Sequence, residues 1–450
     1  MSLDNPPVMS REQAQALLER IHRLSRAERM QVTLNSNWTG DTRFAANQMS
    51  TSGSVEAHGL GIQSWFGSRH AVATTNDLSA EGLERAVRSS ETLARIAPED
   101  PEDMPLLGAQ TYQPVQASFD RTANCSAAAR AEAAMVALRV TRGAGDLEAA
   151  GFLVSGANAT AILNSAGLFA YHGNTTANYT LTVRTTDGTG SGWAAADNQD
   201  WGGMDFGAVS ERAIAKARAS RNPVAIEPGR YTVILEPQAV GDLVQLLVFA
   251  ANARTADEGR SAFTREGGGT KIGEAIVDPR VNLISDPADP QLLGQPFDGE
   301  GFPLGRQVWV ENGTLKQLIY SRFWAQRQSA QPTGGPSTLK MMGGTTSVDD
   351  MVANTERGVL VTRLWYLRQV DPRTILYTGL TRDGTFLVEN GRISRSVRNF
   401  RFNESPLFML NNLEALGPGQ RLAGTEAGGD IVMPPIKVRD FNFTSLSEAV

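Results

Sequence analysis

Asn-Gly is the dipeptide that most narrows the folds open to this chain, and it sits at the centre of two matching segments. Val310-Glu-Asn-Gly-Thr-Leu315 recurs as Val388-Glu-Asn-Gly-Arg-Ile393. Both central residues of a type I′ turn need positive φ, which Asn and Gly adopt most readily. In each copy an apolar run enters the turn and an alternating run leaves it, so each reads as a β-hairpin. The pair reads either as independent hairpins or as a duplicated unit. From Thr270 onward the chain is cut into short strand-like runs by Gly, Pro and Asn. That half is expected to be β-rich.

The half before it mixes periods. Residues 11–29 read as an amphipathic helix, with Leu17, Leu18, Ile21 and Leu24 at helical spacing and a Ser10/Gln13 capping box. Residues 31–75 suit strands, and residues 80–96 return to a helix. A third helix is expected over 125–141. Strands are then expected over 148–155, 159–164, 168–172 and 177–185, with Asn164-Ser-Ala-Gly167 as a tight turn. A Gly/Trp-rich loop (188–203) and a helix at 207–220 follow. Pro223 to Gly229 is the expected boundary, dividing the chain into residues 1–222 and 223–450. Beyond it Tyr231 to Leu235 reads as a buried strand, and Pro237 opens a long helix to about Ala256. The fold class is α+β: a sheet covered by helices on one face, then a β-rich domain carrying one long helix.

Composition excludes several functions. The chain has 450 residues and a net charge of −6, so no basic face for nucleic acid is expected. No segment reaches the ~18 apolar residues of a membrane span. Met1 to Pro7 lacks the pattern of a secretory leader. The expected compartment is the cytosol, and the Asn-x-Ser/Thr triplets at Asn37, Asn124, Asn158, Asn174, Asn178, Asn312 and Asn442 then read as chance surface sequence. A single cysteine, Cys125, rules out an intramolecular disulfide framework.

Only four histidines occur: His22, His58, His70 and His172. A helical zinc site needs two imidazoles on one helix with a Glu beside them. None of these histidines has that neighbour, and each reads as structural, His172 at a turn. Cys125 sits at a helix start, where the dipole can activate a thiol, but a lone Cys is more often a packed residue. Asp298 and Glu300, in Pro296-Phe-Asp-Gly-Glu-Gly-Phe-Pro303, are the candidate paired carboxylates. Their glycine and proline flanks read first as a tight turn, and as an acid/base or substrate-contacting pair second. Glu266-Gly-Gly-Gly-Thr-Lys271 lacks the phosphate-loop frame and reads as a loop.

Several ordered motifs resemble the TldD/PmbA family, also called modulators of DNA gyrase. They are Pro296-Phe-Asp-Gly-Glu-Gly301, Val310 to Lys316, Pro332-Thr-Gly334, Arg357-Gly-Val-Leu-Val361, Val370-Asp-Pro-Arg-Thr374 and Leu387 to Ile393. Arg43 to Asn47, Ala73 to Ser79, Pro98 to Pro101 and Val154 to Gly167 are similar to the family's N-terminal part. The resemblance covers nearly the whole chain. It implies a cytosolic two-chain metalloprotease acting on unfolded or short peptides. One chain type, TldD, carries His-Glu-x-x-x-His on the long helix and a cysteine near the C-terminus. The other, PmbA or TldE, shares the fold without those ligands. Here Leu246 to Ala256 holds neither His nor Glu, and Gly417 to Pro435 holds no cysteine. The resemblance therefore implies the non-catalytic partner: no metal ligand or catalytic residue in this chain, zinc in a partner chain, a TldD-like chain or a second copy as dimer partner, and peptide as ligand, without nucleic acid or membrane. The alternatives are a self-sufficient peptidase or hydrolase with a relocated site, tested by Asp298→Asn, and a protein-binding regulator.

Overall fold

The computed structural model describes residues 8–424 and 426–447; the Met1–Pro7 segment read for a leader lies outside them. The first unit is built on six antiparallel strands: β1 (Arg29–Ala45), β2 (Gln48–Phe66), β3 (Arg69–Thr75), β4 (Leu147–Asn164), β5 (Phe169–Thr185) and β6 (Ser191–Asn198), in the order β3-β2-β1-β4-β5-β6. Its helices are α1 (Arg11–Leu24), α2 (Ala80–Ile96), the single turn α3 (Asp120–Ala123), α4 (Ala127–Ala144) and α5 (Phe206–Ala219).

The period-2 pattern decides which face is covered. Even positions of β1 and odd positions of β4 point to the helices. Met30, Val32, Leu34, Ala161 and Leu163 pack with α1 and α2 at one end of the long strands. Phe44, Leu147, Leu153, Tyr179 and Leu181 pack with α4 and α5 at the other. The four long helices α1, α2, α4 and α5 therefore share one face, as expected from sequence. The opposite face is polar along its middle.

The second unit contains β7 (Gly229–Leu235), α6 (Pro237–Phe249), α7 (Ala253–Asp257), β8 (Leu283–Ser285), β9 (Gln307–Glu311), β10 (Thr314–Leu315), α8 (Arg322–Gln328), β11 (Leu339–Met341) and α9 (Val348–Ala353). It continues with β12 (Arg357–Asp371), β13 (Leu376–Glu389), β14 (Arg392–Ser396), β15 (Phe400–Glu404), α10 (Pro406–Asn411), β16 (Leu413–Leu416), β17 (Gln420–Ala423), β18 (Gly428–Met433) and β19 (Ile436–Leu446). One sheet has the order β10-β9-β8-β11-β18-β17. In the other, pairings run β12-β7-β19-β15-β13 and return from β13 to β12, closing a ring. The apolar helix α6 packs with these sheets in the largest core, among Leu243, Leu247, Phe400, Phe402, Phe441 and Phe443.

Four boundaries differ from the sequence reading. The first helix stops at Leu24, because β1 begins at Arg29. The strand pieces 148–155 and 159–164 form one strand, as do 168–172 and 177–185. The Gly/Trp-rich loop contains β6, held by eight residue pairs from Ala177↔Asn198 to Arg184↔Ser191. The long helix breaks after Phe249. Ile319 donates to the Ala251 carbonyl, and Ala253 donates to the Ile319 carbonyl, so this backbone pairs as a bridge instead of continuing the helix. Asn252 then caps α7.

Both Asn-Gly hairpins form. Asn312 and Gly313 have φ of 47° and 74°, and Asn390 and Gly391 have φ of 51° and 76°. They lie in different sheets, β9–β10 in one and β13–β14 in the other.

Candidate functional site

Helix α6 is the element where the resemblance would place metal chemistry. Its polar side chains are Gln238, Asp242 and Gln245, and all are buried. Asp242 Oδ2 accepts the Leu364 N–H at 3.1 Å, and Oδ1 accepts the Ala427 N–H at 3.0 Å and the Gln238 amide at 2.9 Å. The Gln238 amide also donates to the Ala427 carbonyl at 2.6 Å, and the Gln245 amide to the Glu426 carbonyl at 2.9 Å. These three side chains therefore bind Glu426, Ala427 and β12 to the helix. Close packing reinforces the arrangement: a Cβ on Gly241 would lie 2.0 Å from Leu422 Cδ1. Burial pushes the Asp242 carboxyl up to about 7, outweighing its N–H donors. A zinc ion does not fit this donor set. The carboxylate is saturated by N–H groups, no imidazole lies on the helix, and among the described residues no three His, Cys, Asp or Glu side chains are grouped to hold a metal.

Asp298 and Glu300 lie where the second unit meets the open end of the first sheet. Phe297 is buried against Ile162, Leu168 and Ala170. The Tyr112 hydroxyl donates to the Gly301 carbonyl at 2.7 Å, and the Gln31 amide to the Gly299 carbonyl at 3.1 Å. Asp298 Oδ1 accepts the N–H groups of Glu300 and Phe302 at 2.9 and 3.0 Å, a local Asx turn. Burial raises its carboxyl above the usual range. Glu300 is exposed and pairs with Arg322 at 2.9 Å. The two carboxylates thus have different roles in one strap.

Beside that strap lies a cavity of about 340 Å³ whose lining includes Trp65, His70, Asp100, Asp103, Glu300 and Arg322. Its charges are paired within the protein. His70 Nε2 meets Asp100 at 3.0 Å, and Asp103 takes the Trp65 indole N–H at 3.1 Å and the Arg29 guanidinium at 2.6 Å. Cys125 is buried, and burial pushes its thiol up, so it is not an activated nucleophile. His58 Nδ1 lies 3.0 Å from the Ser36 hydroxyl.

His172 is not at a turn. It lies within β5, opposite Thr160, and is 7% exposed. Its Nε2 has no hydrogen-bond partner, and burial lowers its pKa to about 4, so the ring is neutral near pH 7. Around it the middle of the sheet's open face carries Asn37, Asn158 and Asn174. Sequence reasoning passed over these side chains. The signal was present in the Asn-x-Ser/Thr triplets, four of which, at Asn37, Asn158, Asn174 and Asn178, fall on this one face.

Comparison with known proteins adds a consistent picture. The PmbA/TldA metallopeptidase domain 1 profile matches residues 32–94, the central-domain profile 112–221, and the C-terminal-domain profile 228–445. A metalloprotease of Methanothermobacter thermautotrophicus is 27% identical over 232 residues, 48% of each chain, so the alignment spans about half of that relative. Metalloprotease PmbA of Escherichia coli O157:H7 is 22% identical over 407 residues, 84% of this chain and 85% of that one. Among solved structures, TldE from Thermococcus kodakarensis superposes with a TM-score of 0.85 at 17% identity, covering 96% of this chain and 99% of that one. A Thermotoga maritima protein titled a modulator of DNA gyrase gives 0.84 at 17% identity, covering 96% and 100%. At these identities the structures establish a shared fold.

Proposed function

Because the chain belongs to the PmbA/TldD metallopeptidase family, we propose that it is a non-catalytic, PmbA/TldE-like subunit of a two-chain metallopeptidase. In this role it helps enclose unfolded or short peptides in the cytosol. A TldD-like chain bearing His-Glu-x-x-x-His supplies the zinc, and the two form a dimer. The observation that carries this reading is the use of α6. Its three polar side chains are committed to the backbone of Leu364, Glu426 and Ala427 and to one another, so the helix serves as a structural beam. A chain can still contribute to proteolysis without metal ligands, by orienting a catalytic partner and supplying backbone groups to an extended substrate.

The test begins with the chain purified alone, without chelator and without a histidine tag. Zinc per chain near zero and no peptide cleavage are expected. Co-expression with a family chain that carries His-Glu-x-x-x-His is expected to give a co-eluting complex that cleaves peptide. One zinc per chain together with cleavage by the isolated protein overturns the reading.

A further inference from the structure

The open face of the first sheet is built in rows across adjacent strands. Asn37 of β1 pairs in register with Asn158 of β4, which pairs with Asn174 of β5. The row on one side is Asn35, Thr160 and His172; the row on the other is Thr39, Gly156 and Thr176. Asparagine is depleted from strands, so this concentration in the middle of a long sheet runs against local preference. The three carboxamides of the central row make no hydrogen bond to any group among the described residues. A second, independent sign lies one row along: His172 is 7% exposed with an unpartnered Nε2. A buried polar atom without a partner is a costly arrangement that a ligand can relieve.

The second unit meets this face on either side of these rows. Gln31 reaches the Gly299 carbonyl at one end. At the other, Asn178 reaches the Ala423 carbonyl at 3.4 Å and Asp197 pairs with Arg421 at 2.6 Å. The polar rows lie between these contacts.

We propose that the Asn37–Asn158–Asn174 face binds the backbone of an extended peptide, laid along the strands. A carboxamide carries the donor and acceptor of a peptide group, so it can pair with N–H and C=O regardless of the peptide's side chains. Same-facing side chains recur along a strand every two residues, about 6.5–7 Å, and so do the same-facing backbone groups of an extended peptide. Along β1 that repeat carries Asn35, Asn37 and Thr39, and along β5 it carries His172, Asn174 and Thr176, while the three asparagines lie side by side across the strands. The three central rows hold no Phe, Tyr or Trp ring to stack on a sugar, which favours peptide over carbohydrate. This proposal rests on the peptide-enclosing role proposed above and names the surface that performs it.

The test uses the full chain and a fluorescent, unstructured peptide, with binding read by anisotropy. Asn37→Val, Asn158→Val and Asn174→Val combined suit strand backbone, and circular dichroism checks the fold; Asn158→Thr alone serves as a milder variant. The triple variant is expected to bind about tenfold more weakly or worse, as loss of two or more hydrogen bonds implies. N-methylation of alternate peptide residues is expected to weaken binding to the parent chain and to change little in the variant. Equal affinity in the folded variant, an N-methylation penalty that persists there, or competition by an oligosaccharide but not by unlabelled peptide overturns the proposal. If the variant still supports cleavage with a zinc-bearing partner at unchanged KM, the sheet-face site fails while the subunit role stands. If the parent chain never supports such cleavage, the subunit role fails, and peptide binding by the isolated chain judges the face by itself.

Discussion

Asp242 and His172 are buried titratable groups whose pKa values move in opposite directions, and each makes a distinct prediction. Asp242 is raised to about 7 by burial. A raised folded-state pKa means that the group's stabilising contribution is full below its ordinary value near 3.9 and is lost as pH rises through 7. The parent chain should therefore lose stability against Asp242→Asn across that window, read as urea midpoints at successive pH values. Equal slopes would show that the carboxyl titrates normally. Asp242→Ala leaves the Leu364 and Ala427 N–H groups without their acceptor and should cost about 2–4 kcal/mol. His172 is lowered to about 4 by burial. Its contribution is present above the ordinary value near 6.5 and is lost as pH falls toward 4. His172→Gln should remove that acid sensitivity, seen as a flatter thermal midpoint between pH 6.5 and 4. A sequence shows that His172 is one of four histidines; it does not show that a strand buries its ring.

At the scale of elements, the Asn-Gly turns and the capped helices were legible because their signals are local. The helix over 80–96 appears with those bounds, started by the Ser79 cap. Gly313 shows why the turn signal is so reliable. Its φ is 74°, and a Cβ there would lie 2.3 Å from the Val277 carbonyl oxygen. Gly313→Ala should destabilise the protein by about 1–3 kcal/mol in urea unfolding. An unchanged midpoint would mean that the β9–β10 hairpin bears little of the fold. Two things were not legible locally. The end of α6 is set by Ile319, some seventy residues away, which takes the backbone that would have continued the helix. The strands β4 and β5 read as broken at 156–158 and 173–176 because Gly, Asn and Thr interrupt the apolar alternation there. Those interruptions are the polar rows. The features that hid the strands are the ones that equip the sheet face, so sequence reasoning failed where the structure departs from ordinary strand composition.

Across the whole molecule, the two units are joined by a few specific contacts, among which Arg421 is the most concentrated. Its guanidinium pairs with Asp197 of β6 at 2.6 Å and Asp430 of β18 at 2.7 Å, and donates to the carbonyls of Gln291 and Leu292. Burial raises both carboxyls above the usual range even with the cation present. Removing one partner of a buried ion network strands the others, a loss of about 3–5 kcal/mol. Arg421→Met keeps the apolar stem and removes only the charge, leaving the buried Asp197 carboxylate beside the half-buried Asp430 carboxylate. Calorimetry of the variant should show the six-stranded unit unfolding apart from the second unit, at lower temperature than in the parent. The sign of the pH dependence follows from the same charges. With no cation nearby the carboxyls rise further, so the folded state prefers them protonated, and the variant should recover part of its stability as pH falls from 7 toward 4. The two units would then still fold but no longer hold the polar face in fixed register with the second unit. Peptide affinity should fall in the variant at pH 7, although no residue of the Asn rows has changed. A single unfolding transition together with parent-like peptide affinity would show that the other contacts between the units, among them the Phe297 strap, Ser191 to Asp383 and Lys216 to Glu236, suffice to fix them, and that Arg421 is dispensable to the cleft.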